Sequence, residues 1–308
     1  MTARATDRDR ETTAARLLRS SAARSYDPDV DIDWSAPDEP GKVFHPEELV
    51  SLYGTPLWAG LSERQRVDLG RHELAWILAQ GIVAELGLMG MLVRVATMGD
   101  PTSGHVQYAL TEVADECRHS TMFSRALEQH PRPGDEAIPR LPRGVATVLR
   151  FLTAVLPIGT VSWAGTLIVE DILDRLQRET MADERVQPKV RMVNRIHVLE
   201  EARHISYARD ELRRCVADAG PIGLAASRVT LGLMAWANPR MGISAFAYRA
   251  VGLDPREARR QALANPVHRE VVRRHAERLV HTFDEVGLIK GRLTTALWRR
   301  SFMLGPGR

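Results

Sequence analysis

DECRH at residues 115–119 and EEARH at 200–204 carry one pattern twice: an acidic pair, a spacer, an arginine and a histidine. They lie 85 positions apart, and the same offset relates Glu85 to Glu170. Three ionisable residues therefore repeat in register: Glu85, Glu116 and His119, then Glu170, Glu201 and His204. In each set the lone glutamate precedes the Glu-x-x-His by 31 positions. Positions i and i+3 of a helix share a face, so Glu116 projects with His119, and Glu201 with His204. A four-helix bundle builds a two-metal site from one Glu on each of two helices and a Glu-x-x-His on each of the other two. A lone Glu-x-x-His is common on solvated helix faces. Two of them, each preceded by a Glu on an apolar face, point to a buried metal site.

The flanking sequence supplies the helices. Ser62 is a capping residue before a periodic segment over about 62–98, closed by Gly99-Asp100-Pro101. On it Leu78, Gly81, Ile82, Leu88, Met89 and Leu92 share a face with Glu85. A second helix is predicted over about 102–130, ending at Pro131, and then a proline-rich loop (131–144) crosses to the second pair. The third carries Glu170 and runs to about 182, with Pro157 near its start. The fourth, about 186–218, carries Glu201 and His204, and Gly220-Pro221 closes it. Further helices are predicted at about 223–237, 255–264 and 266–287. Residues 1–35 are polar, charged and aperiodic and read as disordered, leaving 36–308 as a single domain with a C-terminal helical extension.

His197 breaks the symmetry of the repeat. It lies within about 40° of both Glu201 and His204 on a 3.6-residue turn, and so adds a third imidazole. Four carboxylates and three imidazoles are what two cations about 3.5–4 Å apart share through bridging oxygens. That mixture favours iron, with manganese second, over a thiolate-bound structural zinc or an all-oxygen calcium site. Glu112 is the position equivalent to His197 in the first repeat, and a supporting or ion-pairing role is expected for it. Asp115 and Glu200 fall about 100° off the ligand face, where each can accept the second ring N–H of the histidine on the opposite helix. Arg118 and Arg203 are placed either to neutralise those acids or to form exposed ion pairs. His72, His105, His130, His268, His275 and His281 lack such partners and are expected to be surface or packing residues. Phe123, Trp163 and Thr166 are candidate pocket walls, though core packing accounts equally well for the two aromatics.

On these residues the sequence resembles the AurF-type diiron N-oxygenases, the p-aminobenzoate N-oxygenase family of the ferritin-like superfamily, over about 50–290. The resemblance implies an all-α, ferritin-like four-helix bundle with additional C-terminal helices. It implies two irons held by Glu85, Glu116, His119, Glu170, His197, Glu201 and His204, with O2 as co-substrate and an arylamine as the molecule oxidised. It also implies a separate electron donor, a reductase or ferredoxin, since no such domain is recognisable here. A ribonucleotide-reductase small subunit shares the repeat, but its radical tyrosine would fall where this chain has Phe123. Acyl-carrier-protein desaturases lack a counterpart of His197. A non-enzymatic iron-storage bundle is normally shorter than this chain.

Composition narrows the rest. There is no Gly-rich phosphate loop, no GxSxG and no CxxC. The formal charge of +3 is spread among acidic residues, and Lys42, Lys189 and Lys290 are the only lysines, so nucleic acid is not an expected partner. Cys117 and Cys215 are too few for a disulfide framework, and the charged N-terminus is no secretory signal, which together suggest a cytoplasmic protein. Residues 151–169 are uncharged over a length that can span a bilayer, but they contain Pro157, Gly159 and Gly165 and run into Glu170. A buried bundle helix, a soluble protein and a homodimer are the expectation.

Overall fold

A computed structural model describes residues 2–129, 144, 147 and 157–305. Eleven helices of six or more residues are described: α1 (Thr2–Ala23), α2 (Glu63–Met98), α3 (Gly104–Glu128), α4 (Thr160–Ala182), α5 (Pro188–Asp218), α6 (Pro221–Gly242), α7 (Ala245–Ala250), α8 (Pro255–Ala264), α9 (Pro266–His275), α10 (Glu277–Glu285) and α11 (Arg292–Arg300). Among the described residues there is no strand, only one bridge between Val43 and Val186. The fold is an all-α bundle of the ferritin-like kind. Helices α2 and α3 pair as one hairpin and α4 and α5 as the other, and the two hairpins meet through α3–α5 and α2–α4.

Local chemistry sets the helix ends near the predicted positions. Ser62 accepts the Gln65 amide at 3.3 Å while Gln65 Oε1 accepts the Ser62 amide at 3.1 Å, a reciprocal cap that starts α2. Ser103 caps α3 by accepting the Val106 amide. Pro188 opens α5, where its missing N–H costs nothing. On α2, Leu78, Gly81, Leu88 and Leu92 are buried beside Glu85, whereas Ile82 and Met89 are only half-buried. Among the described residues α2 is the one helix long and apolar enough to cross a membrane; a third of its most apolar window is buried. The uncharged run 151–169 falls within the described residues only from 157, where Trp163, Ala164, Leu167 and Ile168 are buried in the core. The loop 131–144, residue 144 apart, lies outside the described residues.

The N-terminal segment departs from expectation, because residues 2–23 form a helix that packs on α3 and α5. Arg10, Ala14, Leu17 and Ser21 recur at helical spacing, and Ala14 and Leu17 are 1% exposed in the main core. Arg10 makes a two-pronged ion pair with Glu211, its Nε and Nη2 donating at 3.0 and 2.7 Å. Glu11 accepts the Gly104 and His105 amides at 2.6 and 3.2 Å, so a side chain of α1 satisfies the exposed start of α3. The high charge of this segment hides its short apolar stripe. Those charges are the docking contacts.

The C-terminal helices extend the core. Trp298 meets Phe283 edge-on at 5.7 Å, both fully buried. Asp171 and Asp174 on α4 are fully buried and carry the ion pairs that bind the extension: Arg278 of α10 reaches both, and Arg209 of α5 reaches Asp171 at 2.6 Å. Buried charges survive when paired in this way. The helix predicted over 266–287 is interrupted at Ala276, whose amide turns back to Val272 and Arg274. Helices α7 and α11 were not foreseen, being only 6 and 9 residues long.

Candidate metal centre

The four central helices bring all seven repeated and symmetry-breaking residues to one place. Glu85 comes from α2, Glu116 and His119 from α3, Glu170 from α4, and His197, Glu201 and His204 from α5. None is more than 2% exposed. Glu116, His119, Glu201 and His204 each present a ligand atom within 4.8 Å of the others, as do Glu85, His119 and His197, and Glu170, His197 and Glu201. The three groups share His119, His197 and Glu201, so they form one centre.

Each imidazole turns one nitrogen inward and has the other occupied. His119 has Nδ1 3.1 Å from Glu116 Oε2 and Nε2 2.9 Å from Glu200 Oε2. His204 has Nδ1 3.0 Å from Glu201 Oε2 and Nε2 3.3 Å from Asp115 Oδ2. Asp115 and Glu200 thus cross the bundle to opposite histidines, as their offset from the ligand face predicted. Arg118 and Arg203 both bind Asp115, and they stand 3.9 and 3.8 Å from Glu200. Arg203 is buried, so the neutralising role, not the exposed ion pair, describes it. His197 presents Nε2 to Glu85 Oε1 at 3.0 Å, while Nδ1 lies 2.7 Å from Gln177 Oε1. Gln177 escaped the sequence reading. The available signal was its place seven residues after Glu170, two turns along the same face of α4.

Electrostatics test whether cations fit. Burial, then the neighbouring carboxylates, pushes Glu85 and Glu170 well above the usual carboxylate range. Burial alone would lower His119, but its bonds to Glu116 and Glu200 hold it up at about 9. Asp115 is raised by burial, yet His204 and Arg118 pull it down to about 2. One oxygen of each of Glu85, Glu116, Glu170 and Glu201 is buried without a hydrogen-bond partner; that of Glu116 lies 2.8 Å from His204 Nδ1 but outside hydrogen-bonding geometry. Four orphaned carboxylate oxygens on converging helices are what two divalent ions would satisfy, and their four positive charges would balance the four carboxylates. The donor set fits the cluster. Iron and manganese both fit these donors.

Other residues take definite places. Glu112 is buried with an unpartnered Oε2, and burial raises it to about 8, but it joins none of the three groups. Phe123 is a buried core residue whose ring lies 4.9 Å from that of His197. Trp163 is core, edge-on to Tyr207 at 5.3 Å, and Thr166 is half-buried. His72 is buried, His105 is buried with Nδ1 3.0 Å from the Tyr207 hydroxyl, His275 is buried 3.2 Å from Glu179, His268 is half-buried and His281 is exposed; His130 lies outside the described residues.

Against this geometry, the family model of the P-aminobenzoate N-oxygenase AurF matches residues 7–287. The chain belongs to that family. It is a ferritin-like diiron family, and the buried Glu/His cluster sits where such a fold holds its metals. Among its relatives are uncharacterized proteins of Mycobacterium tuberculosis and Mycobacterium bovis, each 27% identical over 208 residues. The match covers 65% of this chain and 59% of the relatives, so the alignment spans little more than half of their length.

Proposed function

We propose that the protein is a non-haem diiron oxygenase that uses O2 to oxidise the nitrogen of a small amine, an arylamine first of all. The observation that carries this is the third imidazole, His197, inside a buried four-carboxylate cluster in a chain of the AurF family. Glu85, Glu116, His119, Glu170, His197, Glu201 and His204 would hold two irons. Bound irons would supply the redox chemistry by which O2 is activated.

The chain's own residues set up that chemistry. Glu200 and Asp115 accept the Nε2 protons of His119 and His204, which fixes the tautomer and leaves each Nδ1 free to bind a metal. Gln177 accepts from Nδ1 of His197 and leaves Nε2 for the same use. Arg118 and Arg203 help keep Asp115 ionised. Phe123, buried with its ring against that of His197, shields that side of the centre from water. A separate reductase or ferredoxin would deliver electrons, and a soluble, cytoplasmic homodimer is the proposed form.

Metal analysis and product analysis test this together. Purified protein is expected to hold close to two irons per chain, with Glu116→Ala and Glu201→Ala each lowering that sharply. Incubation of the reduced, iron-loaded protein with O2 and an arylamine should yield N-oxygenated product by mass spectrometry. Undiminished metal in both variants, or no N-oxygenated product from any of a panel of amines, would overturn the proposal.

A further inference from the structure

The charge of the chain is divided along its length. Residues 1–218 hold 27 arginines and lysines against 33 aspartates and glutamates, while residues 219–308 hold 15 against 6. Two runs of the second part, 219–253 and 286–308, contain no acidic residue. They supply α6, α7 and α11, so these helices carry arginines with no acid of their own.

Three arginines gather where these helices end. Arg240 of α6 donates to the carbonyls of Trp236 at 2.6 Å and Arg300 at 3.1 Å. Arg259 of α8 donates to the Arg240 carbonyl at 3.0 Å, and Arg269 of α9 to the Leu263 carbonyl at 2.8 Å. The Arg240 guanidinium stands 4.5 Å from the Trp236 ring and 5.4 Å from that of Phe302, and Arg269 stands 4.7 Å from the same Phe302 ring. Phe302 holds its place at φ 69°, a conformation that a bulky side chain rarely adopts. Carbonyls and rings fix the three guanidiniums without cancelling their charge.

Among the described residues no carboxylate oxygen lies within 4.0 Å of Arg240, Arg259 or Arg269. The acids of the elements packed there are committed to other groups. Glu257 is held by Arg260 and Gln261, Glu270 by Arg273, Asp254 by the Arg256 amide, and the buried Glu73 by Ser51. Burial first, then Arg259 and Arg269, lowers Arg240 below its ordinary range, so the arginines act on one another. Like charges fixed side by side are relieved by a partner that brings carboxylates.

The surroundings say what kind of partner. Trp236 and Met241 are exposed on the same stretch of α6 as Arg240. Aromatic, methionine and arginine side chains together are the composition of a protein interface. Helix α6 in turn lies on α4, where Gly165, five residues before Glu170, leaves room for Met234: an added methyl would stand 2.8 Å from its Cε. A partner on this face is separated by one helix from the helix that carries Glu170.

We propose that the face formed by Arg240, Arg259 and Arg269 with Trp236 and Met241 is the docking surface for an acidic electron-donor protein of the ferredoxin kind. The donor's carboxylates pair with the three guanidiniums, and its apolar side chains cover Trp236 and Met241. The electron-donor role rests on the oxygenase reading; the docking itself needs neither metal nor turnover.

Calorimetric titration of the metal-free full chain with an oxidised, acidic [2Fe–2S] ferredoxin tests the docking. Binding is expected at low salt and should weaken steadily as salt is raised, as for charges paired at an exposed surface. Arg259→Glu and Arg269→Glu, both at exposed positions, should each weaken it about tenfold with the helical circular dichroism unchanged. Arg213→Glu, an exposed reversal on α5, should leave it nearly as it was. With iron loaded, reduction by reduced ferredoxin should slow by the same factor in the two patch variants, and reduction by dithionite should not change. No binding at low salt, an equal loss in Arg213→Glu, or tighter binding of an oligothymidylate or of phosphatidylglycerol vesicles than of ferredoxin would overturn the proposal. Ferredoxin binding that the patch reversals weaken, in a protein that oxidises no amine, would leave the docking surface standing and end the oxygenase reading. Amine oxidation driven by dithionite in a protein that binds no ferredoxin would do the reverse.

Discussion

His119 of α3 and Glu200 of α5 meet across the bundle, Nε2 to Oε2 at 2.9 Å, and the contact is nearly mirrored by His204 and Asp115 at 3.3 Å. The acid that precedes Glu116 or Glu201 therefore serves the histidine of the other Glu-x-x-His helix. Each half of the repeat orients the other.

That relationship predicts a specific loss. Glu200→Gln and Asp115→Asn keep the shape but remove the charge that strengthens the imidazole as a donor. Iron affinity, measured by competition with a chelator, is expected to fall ~10–100-fold in each, with the helical circular dichroism unchanged. Wild-type affinity in both variants would make the two contacts packing contacts only.

His197→Ala should separate the third imidazole from the other six proposed ligands. The fold should survive, because the bundle is held by its apolar clusters and the variant gives up only the His197 contacts to Glu85 and Gln177. Iron content is expected to drop without vanishing, and amine oxidation to fall by at least about tenfold, a loss of roughly 1.4 kcal/mol of transition-state stabilisation. Full metal content together with full activity would make His197 a packing histidine.

Leu17 tests the docking of α1. Its side chain is 1% exposed within the main core. Leu17→Ala is expected to cost about 2–5 kcal/mol in urea unfolding, as for other buried leucines truncated to alanine. A cost below about 0.5 kcal/mol, typical of surface positions, would place α1 off the bundle.

Glu73 gives a pH dependence that can be read by difference. It is buried, accepts the Ser51 amide at 3.0 Å and the Ser51 hydroxyl at 2.5 Å, and burial outweighs those bonds to raise it to about 7. An acid whose pKa is higher folded than unfolded binds a proton on folding. Its stabilising contribution is complete below the unfolded value near 4.5 and is lost as pH climbs to about 7. Glu73→Gln keeps a hydrogen-bonding group and removes the titration. The stability of the variant relative to wild type should therefore rise between pH 4.5 and 7, by on the order of 1–3 kcal/mol, and stay level above that. A difference that is flat across this range would contradict the raised value.

Much of the candidate centre's geometry was legible because it is written in helical spacing. Glu116 with His119, and Glu201 with His204, share a face by covalent order alone, and the 85-residue repeat indicated that the two faces are equivalent. Asp115 and Glu200 followed from a 100° offset. Gln177 did not, since a glutamine two turns from a ligand is unremarkable until α4 and α5 are set side by side and His197 reaches it.

The sequence by itself determined the four bundle helices, the cap at Ser62, and the ring of residues that faces inward, because those depend on local backbone geometry and periodicity. Only the tertiary structure decided what lies across a gap. Glu11 capping α3, Arg278 joining Asp171 and Asp174, and Lys189 donating to Gln129 all pair residues about 60 or more positions apart in the chain. In α1 the same charges that suggest an unfolded chain become docking contacts. Charge and composition fix how much a segment prefers water, and only the packed partner fixes whether that preference is overcome.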